Sequence, residues 1–200
     1  SIDKTLTVNG GGDVNISSAI TLGFTDTRNG WPGYRAHSLS VTTAGNINVS
    51  AAINARGALD MNANTNSMPD GGSVTLSSTV GVVRVTSQIT ASGALHTGNT
   101  NLAGLTGGSS GNISISGAGG VSISAPLVAL GSTNGAVTIS TGNAVVTSGG
   151  VNDGVSGVMS GLNFTKNGVG VLRISGLNNY TGTTVIGGGT LQLGSGTSVP

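Results

Sequence analysis

Apolar and polar residues alternate in short bursts along this chain. Leu6 and Val8 are followed by Val14 and Ile16, then by Ile20 and Leu22. The pattern returns as Leu39 and Val41, Ile47 and Val49, Ile53 and Ala55. A third copy gives Val74 and Leu76, Val83 and Val85, Ile89 and Ala91, and a fourth gives Ile113 and Ile115, Val121 and Ile123, Leu127 and Ala129. A period of two predicts β-strands with one apolar face. Each copy therefore reads strand, Gly-rich turn, strand, turn, strand. Ile16, Val49, Val85 and Ile123 hold the same place in successive copies, at steps of 33, 36 and 38 residues. Three short strands cannot bury their inner faces alone. Copies stacked in register can, so the pattern predicts an all-β solenoid of parallel rungs, with residues 1–147 forming its repeated coils. No segment shows apolar residues at helical spacing over ten residues or more, so almost no helix is expected.

The residues between the inward pairs extend the prediction. Asn15, Asn48, Arg84 and Ser122 should lie above one another on the outer face at about 4.8 Å spacing, where Asn and Ser exchange hydrogen bonds and stacked like charges repel. Gly45, Gly81, Gly119 and Gly120 stand where the chain turns a corner and are expected there for positive φ. After Gly135 the pattern reads as changing register, and residues 148–161 are Gly/Ser-rich and weakly patterned, an irregular coil.

Composition fits a thin core sheathed in neutral polar residues. The 200 residues include 37 Gly, 4 Pro and no Cys, with 6% charged, 2% aromatic and a formal net charge of +1. The seven basic residues (Lys4, Arg28, Arg35, Arg56, Arg84, Lys166, Arg173) are scattered, which excludes a nucleic-acid partner, because phosphate binding needs clustered Lys and Arg. No apolar run reaches bilayer length. The chain starts in mid-repeat and stops just after one, so it is read as a segment of something longer.

Between copies the chain leaves the coil, at about Gly23–His37, Gly57–Gly72 and Gly93–Gly111, and briefly at Gly131–Gly135. All follow the third strand, so these excursions should emerge at one corner, where variable insertions of a solenoid usually bind. The first holds the only Trp, one of two Tyr, two Arg and one of two His. Its candidate binding set is Trp31 and Tyr34 as flat platforms, with Arg28, Arg35 and Asp26 as polar partners for a glycan or receptor. The competing reading folds Trp31 back over an apolar edge, the commoner fate of a lone aromatic cluster. No metal site is expected: Asp60 and Asp70 lack acidic spacing, and His37 and His96 are single and far apart.

The most specific stretch runs from Leu162 to Gly196. Phe164-Thr165-Lys166-Asn167-Gly168, Gly170-Val171-Leu172-Arg173-Ile174-Ser175-Gly176, Asn178-Asn179-Tyr180-Thr181-Gly182, Thr184-Val185 and Gly189-Thr190-Leu191-Gln192-Leu193 follow one another. Leu172, Ile174, Val185, Leu191 and Leu193 read as inward positions of three strands. In its order and its Asn-Tyr-Thr-Gly core this stretch resembles the passenger-associated repeat of autotransporters over Phe164 to Leu193. It departs from the usual pattern at Thr183 and Leu177. The upstream copies are similar, more loosely, to filamentous-haemagglutinin-like adhesins. The resemblance implies a right-handed parallel β-helix, with residues 162–196 as autotransporter-type repeat coils. It implies export past an outer-membrane translocator to the outside of a Gram-negative cell, adjoining β-helix coils as neighbours, and no catalytic residue or cofactor.

Catalysis is not expected. The fold implied also hosts polysaccharide lyases and glycosidases, but a glycosidase needs two carboxylates flanking one bond. This chain has no Glu, and its six Asp (Asp3, Asp13, Asp26, Asp60, Asp70, Asp153) are dispersed. An ice-binding face is a third alternative, disfavoured because the outward columns mix Asn, Arg and Ser rather than repeating Thr. The sequence reads as a rod or stalk of a secreted or surface-displayed bacterial adhesin.

Overall fold

The computed structural model describes residues 4–23, 36–57, 69–94, 108–133, 135–142, 146–148, 151–152, 163–174 and 182–193. Strands follow one another in rungs. The first rung is β1 (Thr5–Gly10), β2 (Val14–Ile16) and β3 (Ile20–Thr21), and the second is β4 (Ser38–Thr43), β5 (Ile47–Val49) and β6 (Ile53–Asn54). The third is β7 (Val74–Ser78), β8 (Val82–Val85) and β9 (Ile89–Thr90), and the fourth β10 (Ile113–Gly117), β11 (Gly120–Ile123) and β12 (Leu127–Val128). The fifth is β13 (Ala136–Thr141), β14 (Val146–Ser148) and β15 (Val151–Asn152). The sixth has β16 (Asn163–Asn167) and β17 (Val171–Ile174), and the seventh β18 (Thr184–Ile186) and β19 (Thr190–Leu193). Among the described residues there is no helix.

Every first strand of a rung pairs with the first strand of the next, giving a parallel seven-stranded sheet in the order β1-β4-β7-β10-β13-β16-β18. The second strands form another seven-stranded sheet and the third strands a five-stranded one, in the same rung order. The fold is all-β with parallel sheets. Parallel strands need a long return path, and here the other two strands of each rung supply it.

Register brings like residues together. Ile16 pairs with Val49, Val49 with Val85, and Val85 with Ile123, the column expected from sequence. In the first sheet Leu39, Val74, Ile113, Val137 and Phe164 form one buried column, and Val41, Leu76, Ile115 and Ile139 another. Ile53, Ile89 and Leu127 supply the third sheet's contribution. These side chains form one continuous core. Leu6 and Val8, on the first strand, stay 49% and 37% exposed.

Polar side chains add links between the rungs. Ser38 Oγ accepts the Ser73 amide (3.0 Å), Ser73 Oγ accepts the Asn112 amide (3.1 Å), and Asn112 Oδ1 accepts the Ala136 amide (3.0 Å). Asn163 Oδ1 does the same for the Thr183 amide (3.0 Å). At the inner corner after the first sheet, Ser78 donates to the Gly45 carbonyl (2.6 Å) and Thr43 to the Gly12 carbonyl. Each buried hydroxyl thereby satisfies a carbonyl of the preceding rung.

Three expectations are corrected. Among the corner glycines, only Gly120 has a positive φ (132°). Gly45, Gly81 and Gly119 are required instead by close approach: a Cβ on Gly81 would lie 2.7 Å from the Gly45 carbonyl carbon, and one on Gly119 2.8 Å from the Val80 oxygen. The register does not change after Gly135, because Val137 stacks on Ile113 and Ile139 on Ile115. Only the connection between rungs shortens there. Strand β15, inside the Gly/Ser-rich stretch 148–161, pairs with β12. Val185 is not inward. It pairs with half-buried Thr165, and the parity of β18 follows β16, in which Phe164 and Lys166 are the buried residues.

Candidate functional site

The corner between the third and first sheets carries the excursions. The residues flanking them stack rung on rung: the Ala36 amide donates to the Asp70 carbonyl (3.1 Å), the Gly57 amide to Ser92 (2.9 Å), the Gly71 amide to Ser109 (2.9 Å) and the Gly93 amide to Leu130 (2.7 Å). The candidate binding residues Asp26, Arg28, Trp31, Tyr34 and Arg35 lie outside the described residues, as do Asp60 and His96.

Among the described residues, two surface depressions flank this corner. A groove of about 500 Å³ runs across the outer face of the third sheet, lined by Asn54, Arg56, Gln88, Thr90, Val128 and Leu130. Outward side chains of three successive rungs form its floor, since Asn54 pairs with Thr90 and Thr90 with Val128. The Asn54 side-chain oxygen accepts the Arg56 amide (3.1 Å), whereas Arg56 Nε is buried with no hydrogen-bond partner. A smaller polar hollow of about 250 Å³ is lined by Ser38, Asp70, Gly72, Ser73, Ser110 and Asn112. Asp70 Oδ1 there accepts the Ser109 amide (2.8 Å).

The outer face of the second sheet carries the polar column expected from sequence. Asn15 pairs with Asn48, Asn48 with Arg84 and Arg84 with Ser122, and Asn48 Nδ2 donates to Asn15 Oδ1 at 2.8 Å. Farther along the same face, Arg173 Nε and Nη2 donate to Gln192 Oε1 (3.3 and 3.2 Å). Asp13 at the edge of this face accepts the backbone amide of Asn46 (2.8 Å) and also its side-chain amide. Those bonds, the backbone one foremost, hold its carboxyl below the usual carboxylate pKa. Among the described residues no three His, Cys, Asp or Glu side chains gather as metal ligands.

One site was not read from the sequence. Lys166 is 0% exposed and points inward from β16, between Ile139 and Ile186 in the column of Leu76 and Ile115. Its ammonium donates to the carbonyls of Asn167 (2.8 Å), Gly168 (2.8 Å) and Gly188 (3.1 Å). Three acceptors match the three donors of an ammonium. Burial pushes its pKa below the ordinary lysine value. The only sequence signal was parity: Lys166 stands two residues after inward Phe164.

Comparison with known proteins agrees with the composition of this C-terminal part. Neither the curated proteins nor the solved structures contain a match to the chain. Residues 164–193, which span Lys166, Gly168 and Gly188, match the family described as Passenger-associated-transport-repeat. The match covers this segment alone, which is similar to an autotransporter passenger repeat.

Proposed function

We propose that the chain is part of a right-handed parallel β-helix, a rod that displays its corner excursions away from the surface of a Gram-negative cell. The observation that carries this reading is the rung-to-rung pairing of all three sheets, ending in a passenger repeat. Right-handedness follows from the general preference of parallel strand crossovers. In such a rod each rung touches only its neighbours, and length is gained without enlarging the core. The reading includes an outer-membrane translocator for export and further β-helix coils as neighbours. Its role is mechanical and adhesive, without catalysis. Support for the last point comes from the two acids among the described residues: Asp13 and Asp70 each accept a backbone amide.

Adhesion is assigned to the first excursion, through Trp31, Tyr34, Arg28, Arg35 and Asp26, with a cell-surface glycan or receptor as ligand. The test compares Trp31→Ala with Asn48→Ala in a glycan-array and host-cell binding assay, with a thermal melt of each. Loss of binding in Trp31→Ala alone, with an unchanged melt, is the expected result. A melt lowered by about 3 kcal/mol or more, as for a buried aromatic, would assign Trp31 to packing and refute the excursion as the adhesive site. Loss of binding on Asn48→Ala would move adhesion to the polar ladder.

A further inference from the structure

Lys166 is the one charged side chain buried in the core among the described residues. The column it occupies is otherwise Val8, Val41, Leu76, Ile115, Ile139 and Ile186. Any apolar residue there would continue the core, so its presence needs a reason other than packing. A buried charge costs free energy unless fully hydrogen-bonded, and exchange for an apolar residue is often neutral or stabilising.

The acceptors are distributed unevenly. Asn167 and Gly168 belong to the lysine's own rung, and Gly188 to the following one. The preceding rung offers Ile139, an apolar neighbour. Gly168 and Gly189 both have left-handed backbones (φ 78° and 68°). A Cβ on Gly189 would lie 2.3 Å from the Gly170 oxygen, 2.5 Å from the Gly168 oxygen and 2.9 Å from Lys166 Nζ, so the seventh rung packs against the sixth beside the ammonium with room for glycine alone. Among the described residues, the seventh-rung side of Lys166 is covered by residues 184–193, so before these dock its ammonium faces water. After docking it is enclosed and gains its third acceptor.

We propose that Lys166 is a conditional end cap. While the sixth rung is the end of the folded stack, the lysine places a charge in the middle of an apolar, strand-edged surface. Inward charges on an exposed edge oppose pairing with another chain. When the seventh rung docks, the same ammonium becomes a clamp between the two rungs through Gly188. The charge thus guards the incomplete stack and locks the complete one.

The test uses the full 200-residue chain, refolded from urea by dilution, with monomer recovery read by light scattering. Native amide exchange is followed at Gly187, bonded to the Lys166 carbonyl, and at Thr190, bonded to the Gly170 carbonyl. Lys166→Met removes the charge and keeps the length. It is expected to retain the sheet signal but to lower monomer recovery roughly threefold through edge association. Ile139→Met, the neighbour in the same column, should recover like the parent. Gly189→Ala keeps the charge and hinders docking of the seventh rung, through its left-handed φ and its clashes with the Gly168 and Gly170 carbonyls. It should recover like the parent, while exchange at Gly187 and Thr190 quickens about tenfold. Equal recovery for Lys166→Met and the parent would overturn the capping role. So would a fall in recovery in Gly189→Ala matching that in Lys166→Met, and exchange at Gly187 and Thr190 unchanged in Lys166→Met would overturn the clamp.

Discussion

Leu6 and Leu39 stack directly on one another in the first sheet, yet Leu6 is 49% exposed and Leu39 2%. Truncating both to Ala separates the value of burial from that of sequence position. Leu39 lies between Leu6 and Val74, so its removal leaves an enclosed void. The expected cost is about 3 kcal/mol, within the range for core Leu→Ala changes that combine lost transfer energy with a cavity. Leu6 already has about half its surface in water and opens no closed cavity, so only about half the transfer energy of a leucine is lost, roughly 1 kcal/mol. The difference of about 2 kcal/mol exceeds the error of urea denaturation followed by circular dichroism at constant m. Stacked rungs can fray one by one, so amide exchange at Val74, which donates to the Asn112 carbonyl, should be measured alongside. Equal costs at the two positions, or a larger one at Leu6, would refute the stack as the source of stability.

Gly81→Ala should destabilise by about 2 kcal/mol through overpacking, because backbone atoms of Gly45 cannot swing aside. Gly11→Ala, with nothing within 4 Å of the added Cβ, should stay within about 0.5 kcal/mol; the two urea midpoints decide the matter. For Lys166 the folded pKa is depressed below 10.5 by burial. The unfolded chain then holds its proton to higher pH, so stability rises as pH climbs through the folded pKa towards 10.5, and falls back on acidification. Urea midpoints of the parent minus those of Lys166→Met should increase over that window, and a flat difference would contradict the shift.

Much of the fold was legible because parity and period say which side chains share a face. Ile16, Val49, Val85 and Ile123 were aligned by sequence alone, and so was the Asn15–Asn48 ladder. Two of the misses share a cause: a residue's own hydrophobicity was trusted over its register. Val185 read as inward because it is apolar, but β18 takes its parity from Phe164 and Lys166. Lys166 was counted among dispersed surface charges because no single-chain pattern announces three backbone carbonyls converging on an inward ammonium. The corner glycines were assigned to unusual dihedrals, whereas contact between successive rungs, invisible in a linear pattern, excludes their side chains. The proposed adhesive residues form no periodic pattern, so the sequence marked their excursion by composition only.

The relay from Ser38 to Ser73 to Asn112 to Ala136 bears on how such a chain can change over evolutionary time. Each rung is held by the one before it at the place where its first strand begins, by a side chain at the third, fourth, fifth and seventh rungs and by a backbone carbonyl at the second and sixth. Registration is therefore renewed after every connection, whatever that connection contains. Segments as different as 24–35, 58–68 and 95–107 precede rungs that stack with the same parity. The corner behaves as a splice point: insertions, deletions or foreign epitopes can be exchanged there while the parity of every downstream strand is preserved. Recognition can then diversify rapidly on a scaffold that stays constant.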